Sequence, residues 1–309
     1  MSIHILQTHP LHESCETALA ERFIVHKLYE ATDRDRLLTD TGKLIRAIAG
    51  GQVSAGLMDR LPNLEIIANF GVGYDSIDVR AAAARKVTVT NTPDVLNDGM
   101  AEITIGLMIA LARRIPQTDR YVREGRWPAG NFPLTHELRG RTLGIVGLGR
   151  IGKEIALRAQ AMKMRVVYHG RNRQDHQPYV FYSSLLDMAR DADWLVVVIP
   201  GGAGTDKLVS RAVLEALGPD GMLVNVARGT VVDQEALVEL LQSGGVGGAA
   251  LDVFEAEPTV PQALWEMENV VLSPHQGSAT YETRDAMGAL VVANLDAHFA
   301  GRSPLTPVT

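Results

Sequence analysis

Short apolar runs alternate along the chain with stretches whose apolar positions recur at three- and four-residue intervals. That is the pattern of buried parallel strands joined by crossover helices. In the first part it predicts strands over 3–7, 46–49, 64–70 and 87–91, and helices over 13–23 and 79–86. From residue 141 it predicts strands over 142–146, 165–168, 194–199, 222–226, 248–254 and 270–272, with helices over 151–162 and 234–242. Asp233 precedes the second of these helices as its N-cap. The stretch 98–114 is a nearly uniformly apolar helix that must be buried on most sides, against another domain or another subunit. The last helix, 279–299, is expected to return to the first sheet. The expected organisation is a discontinuous substrate domain, 1–97 with 281–309, and an inserted domain, 98–280.

Composition agrees with two folded domains. The chain has 309 residues, 46% of them hydrophobic and 21% charged, enough to bury a sizeable core. A net charge of −6 weighs against a nucleic-acid partner, which calls for a basic stripe, yet leaves room for a local basic pocket. Cys15 is the only cysteine, so no intrachain disulfide forms, in keeping with a reducing compartment such as the cytoplasm. Met1 to Thr8 lacks the basic-then-apolar run of a leader, and charges interrupt every apolar segment before membrane-spanning length. No membrane association is expected. His9, His12 and His26 lack ligand-like spacing, and no metal site is expected.

Gly147-Leu148-Gly149-Arg150-Ile151-Gly152 follows one predicted strand and opens a predicted helix. In that context G-x-G-x-x-G marks a dinucleotide-binding turn. The first glycine permits the turn, the second lets a pyrophosphate approach the backbone, and the third lets helix and strand pack closely. The helix N-terminus then favours the anion. The fold class expected is therefore α/β, with two Rossmann-like, doubly wound parallel-sheet domains. An NAD site places an acid about 20 residues further on to hold the ribose hydroxyls. Here the sequence reads Tyr168-His169-Gly170-Arg171-Asn172-Arg173, with no acid and two guanidinium groups suited to a 2′-phosphate. NADP(H) is the preferred cofactor, Arg171 the first candidate to read it, and NAD(H) the other option. Solvated loop arginines are the plain alternative.

Three segments fall at the carboxyl ends of predicted strands, where open α/β sheets bind ligands. They are Val226-Ala227-Arg228-Gly229, Asp252-Val253-Phe254-Glu255-Ala256-Glu257-Pro258 and Ser273-Pro274-His275-Gln276-Gly277-Ser278. Reducing a keto acid needs a cation at its carboxylate or carbonyl, a proton donor to the carbonyl oxygen, and a group that tunes the donor. Arg, His and Glu meet those needs. Singly, each also reads as an ordinary loop residue or strand-end cap.

With the glycine turn and Gly71-Val72-Gly73-Tyr74-Asp75, these segments resemble the D-isomer-specific 2-hydroxyacid dehydrogenases over nearly the whole chain. Asn91-Thr92-Pro93-Asp94-Val95-Leu96 and Gly201-Gly202 are most similar to the glyoxylate/hydroxypyruvate reductase branch. The resemblance implies NADPH-dependent reduction of a small 2-keto acid to the D-2-hydroxy acid by hydride transfer, in a cleft between the domains. It makes His275 the general acid, Glu257 its hydrogen-bond partner favouring the imidazolium, and Arg228 the clamp on carboxylate and carbonyl. Val72 and Gly73 would hold the carboxylate through backbone amides, with Tyr74 beside them. Asp252 would face the nicotinamide carboxamide. Ile199, Pro200 and Thr205 would line the adenosine or phosphate side, with Val226, Ala227, His275 and Gly277 also against the cofactor. Trp127 either closes a partner subunit's pocket or packs in a dimer seam, and a homodimer through 98–114 is expected. Phosphite oxidation on the same scaffold, or a dinucleotide-sensing corepressor or scaffold without turnover, are the alternative functions. Glu257 argues against a formate dehydrogenase, which pairs its His with Gln.

Overall fold

The computed structural model describes residues 2–308. The chain forms two compact units, Met1–Leu96 with Ala279–Thr309, and Asn97–Ser278. In the first, β1 (His4–Gln7), β2 (Ile24–Lys27), β3 (Ile45–Ala49), β4 (Ile66–Ala68) and β5 (Thr88–Thr90) make a parallel sheet in the order β2-β1-β3-β4-β5. Successive strand residues point to opposite faces, and both faces are covered. Ile5, Ala47 and Ile66 pack with Leu19, Val291 and Leu295, from helices Glu13–Arg22 and Tyr281–Phe299. Leu6, Ile48 and Ile67 pack with Met58 and Ala82 on the other side.

The second unit holds β6 (Thr142–Val146), β7 (Arg165–His169), β8 (Val180–Tyr182), β9 (Trp194–Val197), β10 (Met222–Asn225), β11 (Gly248–Leu251) and β12 (Val270–Leu272). They form a seven-stranded parallel sheet in the order β12-β11-β10-β9-β6-β7-β8. Leu143, Ile145, Val196, Val224 and Ala250 pack against Leu107, Met108 and Ile155 on one face. Val167, Leu195, Leu223 and Ala249 pack against Leu214 and Leu237 on the other. Both sheets are doubly wound. The strand order reverses between β6 and β9 in one and between β1 and β3 in the other, and such switch points are where open α/β sheets bind ligands.

The apolar helix spans Asn97–Ala112. It buries Ala101, Thr104, Leu107, Met108 and Leu111 but leaves Glu102 and Gly106 exposed and Ile103, Ile105 and Ile109 half-buried. Burial is one-sided within the chain, not on most sides as its composition suggests. Several short elements escape the apolar pattern: β2, β8, and helices Arg34–Thr41, Ala55–Asp59, Ile115–Arg123, Leu185–Asp191 and Arg211–Leu217. Conversely, the strands expected over 64–70 and 248–254 end at Ala68 and Leu251. Their apolar runs continue into loops that leave the ladder, and hydrophobicity alone does not mark that departure. Among the described residues no helix is long and apolar enough to cross a membrane.

Candidate active site

The glycine turn sits at the carboxyl end of β6, at the switch point. Gly147 has φ +104°, and a Cβ there would lie 2.4 Å from Ile199 Cγ2 and 2.9 Å from the Val198 carbonyl oxygen. A Cβ on Gly152 would lie 2.2 Å from the Gly147 carbonyl oxygen, so the helix Arg150–Ala161 can meet the turn only with glycine there. Gly149, the N-cap of that helix, differs: a Cβ on it would meet nothing within 4 Å. Two glycines serve the chain's own packing, and the middle one leaves open space in front of the helix N-terminus. That is the cradle a pyrophosphate needs, so the residues present fit a dinucleotide.

Across the same sheet edge, β10, β11 and β12 deliver the three predicted segments. Gly229 follows Arg228, and a Cβ on it would lie 1.9 Å from the Phe254 carbonyl carbon, so only glycine lets the ends of β10 and β11 approach. Asn225 is buried; its Nδ2 donates to the Arg228 carbonyl at 3.0 Å and its Oδ1 accepts from Ala227 N–H at 3.1 Å. The Arg228 side chain lies along Gly201, where a Cβ would stand 2.8 Å from its Cγ. Arg228 Nη1 donates to the Ala227 carbonyl at 2.7 Å. Val226, Ala227 and Gly277 are buried beneath this surface.

His275 lies in the left-handed region at φ +55°. Its N–H donates to the carbonyls of Asp252 at 2.9 Å and Ser273 at 3.1 Å. Asp252, 1% exposed, accepts at Oδ1 from Ser273 Oγ at 2.5 Å and Gln276 N–H at 2.7 Å, and at Oδ2 from Gly277 N–H at 2.8 Å. One buried carboxylate thus shapes the whole 273–277 loop. The His275 Nδ1 meets Glu257 Oε2 at 2.7 Å, while Glu257 Oε1 accepts from Phe254 N–H at 3.0 Å. Fixed on its own loop, the Glu257 carboxylate is placed to accept a hydrogen bond from Nδ1–H, an arrangement that leaves His275 Nε2 available to a ligand. A cation, a buried loop-shaping acid and an acid-held imidazole therefore converge on one sheet edge with the glycine turn.

Residues 105–277 match the NAD-binding domain of the D-isomer-specific 2-hydroxyacid dehydrogenases. The chain belongs to that family. It is 46% identical to the glyoxylate/hydroxypyruvate reductase A of Arabidopsis thaliana, over 99% of both chains. It is 44% identical to the hydroxyphenylpyruvate reductase of Plectranthus scutellarioides, over 99% of both chains. Its fold superposes with a TM-score of 0.94, at 44% identity, on the NADPH-dependent glyoxylate/hydroxypyruvate reductase SmGhrB of Sinorhizobium meliloti in complex with NADP and malonate, covering 100% of this chain and 97% of that one.

As a member of this family the chain is an oxidoreductase with a nicotinamide-dinucleotide site, and the segment after β7 holds the residues that the sequence makes candidates to read its ribose. Arg171, Asn172 and Arg173 are exposed there. Arg173 Nε faces Asp175 Oδ1 at 3.3 Å, an acid just past the stretch that the sequence shows as acid-free. Gln174, not anticipated, ties this segment down: its N–H donates to Tyr168 Oη at 2.7 Å and its Nε2 to the Leu148 carbonyl at 2.7 Å. His169 pairs through Nδ1 with the Tyr182 carbonyl at 2.9 Å, and its own carbonyl accepts from Gly147 N–H at 2.9 Å. Its role is thereby partly to join turn and strand. Thr205 Oγ1 closes its loop on the Pro200 carbonyl at 2.8 Å, beside half-buried Ile199.

In the first unit, the loop after β4 has its carbonyls turned into the fold. Asn69 Nδ2 donates to the carbonyls of Gly71 and Gly73, both at 2.9 Å, and Asn91 Nδ2 donates to that of Val72 at 2.9 Å. Among the described residues, the amides of Val72 and Gly73 have no acceptor within the chain. Asn69, and the carbonyl-holding role of Asn91, escaped the sequence reading because a polar residue at a strand end also reads as a turn former. Tyr74 is 40% exposed at the end of this loop.

Proposed function

We propose that this enzyme reduces a small 2-keto acid of the glyoxylate or hydroxypyruvate type to the D-2-hydroxy acid, with NADPH as its preferred cofactor. The observation that carries the reading is the 2.7 Å contact between His275 and Glu257 on the sheet edge that also bears Arg228 and the glycine turn. His275 gives a proton from Nε2 to the keto oxygen and takes it back in the reverse direction. Glu257 holds the ring in the tautomer and orientation that this requires. Arg228 pairs with the carboxylate and polarises the carbonyl. Val72 and Gly73 amides supply a second hold on the carboxylate, beside Tyr74. Gly147 to Gly152 would hold the pyrophosphate, Arg171 with Asn172 and Arg173 the 2′-phosphate, and Ile199, Pro200 and Thr205 the adenosine side. The dinucleotide, when bound, supplies the hydride. Asp252 would face the nicotinamide carboxamide while it shapes the loop that carries His275.

Relatives named for reduction of glyoxylate, hydroxypyruvate and hydroxyphenylpyruvate, and the NADP complex of the Sinorhizobium meliloti enzyme, support this reading. Loss of NADPH absorbance on adding glyoxylate or hydroxypyruvate, with chiral analysis of the product, tests it. Intact dinucleotide binding with no oxidation on any keto acid would replace it with a sensing or scaffolding role. A homodimer belongs to the same proposal. It would cover the half-buried Ile103, Ile105 and Ile109, with Trp127, 63% exposed, and Leu134, fully exposed, in its seam. Light scattering on the purified protein reads the mass.

A further inference from the structure

Within the second unit, Gln174 bonds to both parts of the dinucleotide site, and the reading above gives it no role there. It is half-buried and lies just beyond β7, which ends at His169. Its backbone N–H donates to Tyr168 Oη at 2.7 Å, and its side-chain Nε2 donates to the Leu148 carbonyl at 2.7 Å. Tyr168 is 1% exposed and Leu148 3%, so both bonds end on residues fixed in the core. Hydrogen bonds sheltered from water hold their groups more firmly than surface ones. One glutamine therefore ties the segment of Arg171 to the last turn of β7 and to the glycine turn after β6.

The side-chain bond acts on the glycine turn. Leu148 C=O and Gly149 N–H belong to one planar trans peptide, so they point in opposite directions. With the carbonyl drawn to Gln174, the Gly149 N–H is turned the other way, and among the described residues it has no acceptor within the chain. The same residue is the one whose Cβ would meet nothing within 4 Å. The backbone bond acts on the arginine segment. Gly170, Arg171 and Asn172 make no hydrogen bond among the described residues, and a Cβ on Gly170 would meet nothing within 4 Å. That stretch is held only at its ends. One end is His169, with Nδ1 on the Tyr182 carbonyl at 2.9 Å and its own carbonyl on Gly147 N–H at 2.9 Å; the other is Gln174.

We propose that Gln174 is a positioning residue that couples the two phosphate subsites of the cofactor. Its side chain sets the Leu148–Gly149 peptide so that Gly149 N–H donates to the pyrophosphate. With its backbone bond to Tyr168, the same residue pins the loop that presents Arg171 to the 2′-phosphate. This rests on the NADPH reading above. Both NADH and NADPH carry the pyrophosphate, and only NADPH carries the 2′-phosphate. Severing the Gln174 side-chain bond therefore weakens NADH through the turn alone, and NADPH through turn and loop together.

The test is fluorescence titration of NADPH and NADH with the full chain as wild type, Gln174→Met and Tyr168→Phe, each with and without Arg171→Ala. In Gln174→Met, NADH should weaken by about 3–10-fold and NADPH by about 10–100-fold, the loss of one sheltered bond against two coupled ones. Tyr168→Phe frees the loop but spares the turn, so NADPH should weaken by about 3–10-fold and NADH by less than about twofold. Once Arg171 is alanine, Gln174→Met should weaken NADPH no more than NADH, because the loop no longer carries a reader; the double-mutant cycle measures that coupling. An NADPH Kd in Gln174→Met within about twofold of wild type, or equal losses of both cofactors, overturns the proposal. An additive cycle overturns it too, since general loosening of the unit does not depend on Arg171. If Gln174→Met does not fold, Tyr168→Phe decides alone: a loss selective for NADPH supports the inference, and equal losses or none sink it. Equal weakening of NADPH and NADH by Arg171→Ala alone is a distinct result, which removes the NADPH reading and this inference with it.

Discussion

His275 Nδ1 and Glu257 Oε2 lie 2.7 Å apart although each belongs to a different loop, one following β12 and the other β11. The pair is partly open to solvent, with side-chain exposures of 49% and 34%. Glu257 is itself anchored by Phe254 N–H, so the carboxylate is a fixed post and not a mobile surface acid.

Removing the imidazole should lower kcat by about 10²–10⁴-fold in His275→Ala, the contribution of a positioned general acid. The dinucleotide Kd should barely move. Glu257→Gln should lose part of that factor, on the order of ten- to a hundredfold, because the ring stays but its orientation is no longer enforced. Steady-state kinetics with a fluorescence titration of NADPH separates the two effects. Unchanged turnover in His275→Ala removes the residue from the mechanism.

Asp252 works on the same imidazole from below. Its two oxygens accept from Ser273 Oγ and from the N–H groups of Gln276 and Gly277, so an amide at this position must point its NH₂ at one of these donors. Asp252→Asn should cost about 1–3 kcal/mol, the penalty for a buried mismatch, and reduce kcat as the His275 loop loosens. A melting temperature and a kcat both equal to wild type would show that the carboxylate does not shape the loop. A change in NADPH affinity alone would point to the nicotinamide instead.

Arg171 is the candidate reader of the 2′-phosphate, while Arg173 faces Asp175 at 3.3 Å. Arg171→Ala should therefore weaken NADPH by roughly tenfold or more and NADH little, in line with loss of a charge-assisted contact. Arg173→Ala should do less, and Asp175→Asn should tighten NADPH slightly by releasing Arg173 and removing a repulsive charge. Titrations with both cofactors check this. Equal losses for NADPH and NADH in Arg171→Ala would place the phosphate elsewhere.

How far such features are legible in the sequence depends on whether one residue type is the only solution. Gly147 and Gly152 announce themselves because no side chain fits, and the arrangement of Arg228, Glu257 and His275 is chemically restrictive. The two parallel sheets follow from buried apolar runs. The roles of Asn69, Asn91, Gln174 and Asn225 were not legible, since their work is to hold backbone carbonyls and amides that only the folded loops bring near. β2 and β8 are three- or four-residue edge strands with half-exposed side chains, too short and too polar for a periodic signal.

The two outer glycines and the middle one should respond differently to a methyl group. Gly147→Ala forces a Cβ into Ile199 and the Val198 backbone at positive φ. It should cost about 1–3 kcal/mol, seen as a fall in melting temperature of roughly 2–4 °C per kcal/mol for a chain of this size. Gly149→Ala meets nothing within 4 Å and should melt close to wild type. It should nevertheless weaken the dinucleotide, because the methyl occupies the approach of the pyrophosphate. Differential scanning calorimetry without and with NADPH distinguishes the two. Normal cofactor affinity in Gly149→Ala would mean that the phosphate does not come to this turn.

Within the first unit, Glu16 provides an acid-sensitive support. Burial pushes its carboxyl up, but bonds from Leu11 N–H, Lys27, Gln7 and Tyr29 outweigh that and hold it down at about 2, below the ordinary 4.5. Lys27 Nζ lies 2.9 Å from Glu16 Oε2, and Gln7 Nε2 lies 2.7 Å from Oε1. A carboxylate depressed in the folded state binds its proton more readily once unfolded. Its stabilisation is therefore full above the unfolded value and is lost as pH falls through the folded one. Between about pH 4.5 and 2 the wild type should lose stability that Glu16→Gln, already less stable at neutral pH, no longer has to lose. Urea melts across that range should show the two stability curves converging as pH falls. Parallel curves would mean that Glu16 does not couple protonation to the folding of this unit.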